Sequence, residues 1–231
     1  MNSPLRAVAD PGIPTPGIHW RCALPGTTPR PGLILDRDGV LVDFVDYLHR
    51  PDQTLVAAGA GELVAQMKNV GVAIGVVTNQ AGIARSLYDW SDYFAVEKEI
   101  DRQLASMGTA LDGVVACPYH PDFTKEWSEG FSYWRKPGPG MIELLIRKLN
   151  IAHDRCWMIG DHISDIGAAR AAGLSGAILV KQGWGIKYQY DAMTLASPSF
   201  EVLVIEEIIQ ALPILVERLN SKQSAQPTLS Y

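Results

Sequence analysis

The chain has 231 residues, 47% of them hydrophobic and 19% charged, with a formal net charge of -5 at pH 7. Those proportions exclude an intrinsically disordered chain and argue against a nucleic-acid partner, which would need clustered Lys and Arg. No run of about 18 apolar residues points to a membrane span, and the three scattered cysteines, Cys22, Cys117 and Cys156, are too few for a disulfide framework, so a reducing, cytoplasmic setting is expected.

Residues 1–31 carry seven prolines and no apolar core of a signal peptide. They read as an extended arm that Trp20 pins to the domain. From Gly32 onward, short apolar runs alternate with amphipathic stretches. The spacing predicts strands over 32–35, 72–78, 113–117, 156–159 and 177–180, and helices over 59–70, 90–107, 138–149, 164–172 and 200–219. Pro213 is expected to kink the last helix. Gly71, Gly108 and Gly173 each follow a helical stretch, where a left-handed C-cap sits. This order predicts one α/β domain over 32–220, a Rossmann-like, mostly parallel sheet with helices on both faces, followed by a polar tail over 221–231. About 20 residues separate Gly39 from the first helix and about 17 lie between Cys117 and Arg135, too few for a separate cap domain.

Ligands of such sheets sit beyond the carboxyl ends of the strands. Asp36 and Asp38 lie at the end of the first strand, Thr78 and Asn79 at the end of the second, and Asp161 at the end of the fourth. A strand-end carboxylate can attack an electrophile directly. A second one two residues on returns to the same side, where it can protonate a leaving oxygen and later deprotonate water. Gly39 lets the backbone turn sharply. The Thr78 hydroxyl and the amides of Asn79 and Gln80 suit phosphoryl oxygens. Lys136 can neutralise charge on nucleophile and phosphate, and Arg135 can grip a phosphate by two hydrogen bonds. Asp161, with the first two acids, makes an oxygen-rich site for Mg²⁺.

The motifs DRDG, TNQAGIAR, CPYHP, RKPGPGM and GDHISD resemble those of the haloacid dehalogenase (HAD) superfamily of phosphatases. More narrowly they resemble the branch of sugar-bisphosphate and histidinol-phosphate phosphatases. The resemblance implies Asp36 as nucleophile, Asp38 as general acid and base, Thr78 and Lys136 on the transferring phosphoryl group, and Arg135 in substrate recognition. It implies Mg²⁺ held by the Asp36 carboxylate, the Asp38 backbone carbonyl and Asp161, with Asp165 orienting the metal shell or the Lys136 ammonium. Phe44, Asp46, Tyr47, Asn79, Gln80, Arg85 and His162 fall where the family contacts substrate, and His49 lies in the same loop.

Three departures matter. Members of that branch commonly hold a structural zinc with a Cys-x-His pair and a later Cys-x-Cys pair; here only Cys117 remains of the four positions, the others being Tyr119, Ser132 and Trp134, so no zinc is expected. Tyr119, Phe123, Trp127, Phe131, Tyr133 and Trp134 either pack in its place or face outward to stack on substrate. Val42 and His162 replace an asparagine and a lysine of the family. The expected function is Mg²⁺-dependent hydrolysis of a small phosphate ester, a heptose 1,7-bisphosphate first and histidinol phosphate next. A nucleic-acid 3′-phosphatase and a non-catalytic phosphate-ester sensor are the alternatives, and a monomer or small homo-oligomer is expected.

Overall fold

A computed structural model describes residues 17–221. The expectations for the arm before residue 17 and for the tail from 222 onward lie outside the described residues. Seven strands form one sheet: β1 (His19–Cys22), β2 (Arg30–Leu35), β3 (Ala73–Asn79), β4 (Gly113–Cys117), β5 (Ile151–Gly160), β6 (Gly176–Val180) and β7 (Glu201–Ile205). Their order is β1-β4-β3-β2-β5-β6-β7. All neighbours run parallel except β1, which pairs antiparallel with β4.

Eight α-helices accompany the strands: α1 (Ala60–Asn69), α2 (Ala81–Ala84), α3 (Trp90–Ser106), α4 (Glu129–Trp134), α5 (Gly140–Leu149), α6 (Ile163–Ala171), α7 (Gly185–Thr194) and α8 (Ala211–Ser221). Strand side chains alternate between faces, so Leu33 and Leu35 pack with α1, α3 and α8, while Ile34 packs with α5, α6 and α7. Strands buried on both faces require apolar residues throughout their buried part, and this is why β2 from Gly32, β3 as far as Val77, and β4 read as unbroken apolar runs. Gly71, Gly108 and Gly173 have φ of 82°, 75° and 68°, the left-handed turn that ends a helix.

The sequence expectation lacks α2 and α4 and begins β5 at 156 instead of Ile151, and three further stretches differ from it. The helix expected over 200–219 is instead β7, a 3₁₀ turn over Ile208–Gln210 and then α8. The segment "EVLVI" supplies the seventh strand, with every residue paired to β6. Pro213 kinks nothing, because it is the third residue of α8, where its missing N–H would have had no intrahelical partner. Helix α7 carries only two buried residues, Gly185 and Ala192, so it has no apolar stripe to announce it. Within the proline-rich segment, His19–Cys22 is a paired edge strand, and the Lys148 ammonium of α5 lies 4.7 Å from the centre of the Trp20 ring.

Among the described residues no separate cap domain covers the carboxyl ends of the strands, and no helix is long and apolar enough to cross a membrane. Loops shape the rim together with α2 and the first turns of α6 and α7.

Candidate active site

The backbone N–H of Asp36 donates to the Ile159 carbonyl, extending the β2–β5 ladder one residue past the strand and fixing where its side chain emerges. Asp36 Oδ1 accepts from the Arg37 N–H at 2.7 Å and from Lys136 Nζ at 2.7 Å. The Lys136 ammonium also reaches Asp165 Oδ1 at 2.6 Å and the Val77 carbonyl at 3.0 Å. Asn79 clamps the Lys136 peptide from both sides: its Oδ1 accepts the Lys136 N–H and its Nδ2 donates to the Lys136 carbonyl. The other oxygen of Asp165 accepts the His162 N–H at 3.0 Å, closing the first turn of α6. Asp165 is fully buried and is the partner of Lys136.

Asp38 faces the same inner cavity with both oxygens engaged. Arg37 donates to it through Nε and Nη2, Gln80 Nε2 donates at 3.0 Å, and the Thr78 hydroxyl stands 3.4 Å away. Gln80 also donates to Thr78 Oγ1 at 2.7 Å, while its Oε1 accepts from Arg37 and from the Tyr88 hydroxyl. The Gln80 amide is therefore spent within the site's framework. Gly39 turns the chain at φ 85°, and a Cβ there would collide with the Asp161 carboxylate.

Asp36, Asp161 and Asp165 bring carboxylate oxygens within 4.8 Å of one another, and all three are buried. Burial, reinforced by Asp165, pushes the Asp161 carboxyl up to about 7. Burial also drives Asp36 well above the usual range, against the pull of Lys136. One ammonium faces three acids, with the Trp184 N–H adding a single hydrogen bond to Asp161. Such an excess of crowded negative charge fits a divalent cation with oxygen ligands.

The inner cavity, ≈ 250 Å³, is bordered by Asp36, Asp38, Thr78, Lys136, Asp161 and Asp165. It adjoins an outer cavity of ≈ 570 Å³ that includes Phe44, Asp46, Tyr47, Arg85, Trp184 and Lys187 in its walls. Asn79, Arg135, His162, Phe44 and Trp184 border both. Phe44 and Trp184 meet edge to face across the mouth, their ring centres 5.9 Å apart, and are 43% and 47% exposed. The Arg85 guanidinium lies 4.0 Å from the Phe123 ring centre and the Lys187 ammonium 5.7 Å from that of Trp184. Arg135 donates to the Tyr119 carbonyl at 2.9 Å. Burial lowers the His162 pKa, and its Nδ1 accepts the Ser164 N–H at 3.1 Å, so the ring is turned toward its own helix. His49 stacks on Tyr88.

Most of the aromatic loop packs against itself and the domain. Tyr119 and Phe131 pack with centres 4.1 Å apart, Trp134 is buried, and Tyr133 donates to Glu143, whereas Phe123 is exposed under Arg85. Burial pushes the Cys117 thiol up to about 12. Reading motifs missed Arg37, Tyr88, Trp184 and Lys187. Arg37 was detectable in principle, since a charged residue between two strand-end acids is held where water is scarce.

Comparisons with known proteins identify the family. Residues 133–201 match the model of the HAD-hydrolase-like family. The D-glycero-β-D-manno-heptose-1,7-bisphosphate 7-phosphatase of Photorhabdus laumondii is 37% identical over 153 residues, 66% of this chain and 81% of the relative. The corresponding enzyme of Escherichia coli K12 is 34% identical over 153 residues, 66% and 80% of the two chains. The crystal structure of D,D-heptose 1,7-bisphosphate phosphatase from B. bronchiseptica, complexed with magnesium and phosphate, superposes with a TM-score of 0.70 at 28% identity, covering 81% of this chain and 98% of that one. With a strand-end acid set of this form and relatives at this identity and coverage, the chain belongs to the HAD-like phosphatases, as a homologue of the heptose-bisphosphate 7-phosphatases.

Proposed function

We propose that this phosphatase transfers the phosphoryl group of a sugar phosphate to Asp36 and then to water. The observation that carries the reading is the placement of Asp36 and Asp38 on one small cavity, with the Lys136 ammonium already on the first of them. Asp36 attacks phosphorus while Asp38 gives a proton to the departing oxygen. Asp38 then takes a proton from the water that hydrolyses the aspartyl-phosphate. Thr78 and Lys136 hold the phosphoryl oxygens, so the chain contributes chiefly positioning and charge compensation. Mg²⁺ would be held by the Asp36 carboxylate, the Asp38 backbone carbonyl and Asp161, with Asp165 behind Lys136; when bound it supplies further positive charge beside the phosphate.

Asp161 sets a pH dependence for that metal. Its carboxyl titrates at about 7 without metal, and a metal must displace the proton below that point. Magnesium affinity is therefore expected to fall by about tenfold or more per pH unit below neutrality, with Asp36 adding to the dependence. Calorimetric Mg²⁺ titrations at acid, neutral and alkaline pH check this; an affinity independent of pH would remove Asp161 from the ligand set.

For the substrate, we infer a sugar bisphosphate, with D-glycero-D-manno-heptose 1,7-bisphosphate as the first choice. The activity of the relatives supports it, and so does the outer cavity. Arg85 and Lys187 lie there on aromatic rings and, among the described residues, form no ion pair with a carboxylate. A second phosphate would give such cations their counter-ion. Phosphate release should be compared across heptose 1,7-bisphosphate, a heptose monophosphate, histidinol phosphate and a 3′-phosphorylated oligonucleotide. Arg85→Ala is expected to raise KM for the bisphosphate by about 10-fold or more, the worth of one charge-assisted hydrogen bond, and to leave the monophosphate nearly unchanged. Equal effects on both would remove Arg85 from second-phosphate recognition.

A further inference from the structure

We propose that Arg37, braced by Glu97, is the residue that positions Asp38 for proton transfer, an inference that rests on Asp38 as the proton donor. Arg37 is 1% exposed, and its guanidinium is divided among three partners. Nε and Nη2 hold Asp38 at 3.1 and 3.0 Å, Nη2 also donates to Gln80 at 3.1 Å, and Nη1 stands 3.5 Å from Glu97 Oε1. Glu97, 6% exposed, reaches the site from α3, and its other oxygen stands 3.5 Å from Arg21 of β1. The Tyr93 ring covers the guanidinium, 5.3 Å from centre to Cζ. An aspartate of the catalytic rim is thus tied, through one buried arginine, to a helix distant in sequence and through it to the edge strand.

Stability is a poor reason for this arrangement. Burying a guanidinium between two carboxylates costs more in lost hydration than a set of apolar side chains of like volume would. What the arrangement does achieve is a fixed Asp38 side chain. The fork from Arg37 sets the plane of the carboxylate, and Gln80 holds the second oxygen. Glu97 offsets the guanidinium charge, so Asp38 is oriented by hydrogen bonds without facing an uncompensated cation.

The reaction offers a way to separate positioning from mere structure. As the Asp36–phosphorus bond forms, the bond from phosphorus to the leaving oxygen breaks and its electron pair passes to that oxygen, which takes the proton of Asp38. An alkoxide needs that proton to depart, whereas the carboxylate released from an acyl phosphate leaves without it. Moreover, kcat/KM reports only the steps up to the first irreversible one, before the aspartyl-phosphate meets water.

The experiment measures kcat/KM of the full-length enzyme with Mg²⁺ on glycerol 2-phosphate and on acetyl phosphate, for Arg37→Lys, Glu97→Gln and Asp38→Asn. Misplacing a catalytic group by an ångström costs about 10²-fold, so Arg37→Lys is expected to lose about that on the alkyl ester and about 3-fold or less on acetyl phosphate. Glu97→Gln, which leaves every catalytic group in place, should shift the same ratio in the same direction by a smaller factor. It decides the matter alone if Arg37→Lys fails to fold. Equal losses on both substrates, or none, would reduce Arg37 and Glu97 to a structural ion pair. Absence of any leaving-group dependence in Asp38→Asn would instead sink the proton-donor assignment, and this proposal with it.

Discussion

The Asp36→Asn enzyme is expected to lose phosphate release by at least about 10⁴-fold, as removal of a nucleophile does elsewhere, while keeping its fold. The substitution changes almost no volume. Its amide oxygen can still accept from Lys136 and from the Arg37 N–H, the two contacts that Asp36 Oδ1 makes. It also removes one of three buried acids that repel one another, the one whose carboxyl is driven well upward by burial. The melting temperature without metal should therefore match or exceed that of the native chain. Calorimetry and phosphate assays on the same preparation check both halves. Turnover at more than a few per cent of the native rate would displace Asp36 from the nucleophile's role.

Lys136→Ala should act in the opposite sense on stability and the same sense on activity. Lys136 is buried, and its neighbours Asp165 and Asp36 hold its pKa above the ordinary lysine value. Truncation leaves those two buried carboxylates without a counter-ion, which costs about 3–5 kcal/mol where such pairs have been broken. At roughly 2–4 °C per kcal/mol for a chain of this size, the melting temperature should fall by about 10 °C. The pH response fixes the cause. A buried acid raised above its unfolded pKa destabilises the fold once it ionises, so protonation relieves the strain. Lowering the pH from about 8 to about 6 should narrow the gap between the variant and the native chain. A gap of constant width would mean that Lys136 acts through packing. Phosphate release should be lost at either pH.

How much of this was legible follows from where each residue sits. Asp36, Thr78 and Asp161 could be read because each ends an apolar run buried on both faces, and such a run marks its own carboxyl end. Glu97 could not. It sits in the polar-looking stretch "VEKEID" of α3, and it is buried against Arg37 and Arg21, both distant in sequence. Local pattern carries no trace of a partner that the fold supplies. The helix expected over 200–219 fails for a different reason: "EVLVIEEIIQALPILVERL" places apolar residues at helical spacing almost throughout, and the strand in its first five residues is decided by pairing with β6. The outer cavity was half legible. Phe44 and Tyr47 follow the first motif closely, whereas Trp184 and Lys187 border the same space from a stretch without any recognised pattern.

The short strand β1 has a consequence for how the protein can be handled. Its four residues are the only covering, among the described residues, on the outer side of β4, whose five residues "GVVAC" are all buried. Trimming the chain at residue 31, as its proline content invites, would keep every acid of the rim and lay bare a full row of unpaired amides along β4. An open, apolar edge of that kind templates any other extended chain, including another copy of itself. Within the segment most easily taken for a dispensable leader, β1 thus shields that edge from pairing with another chain.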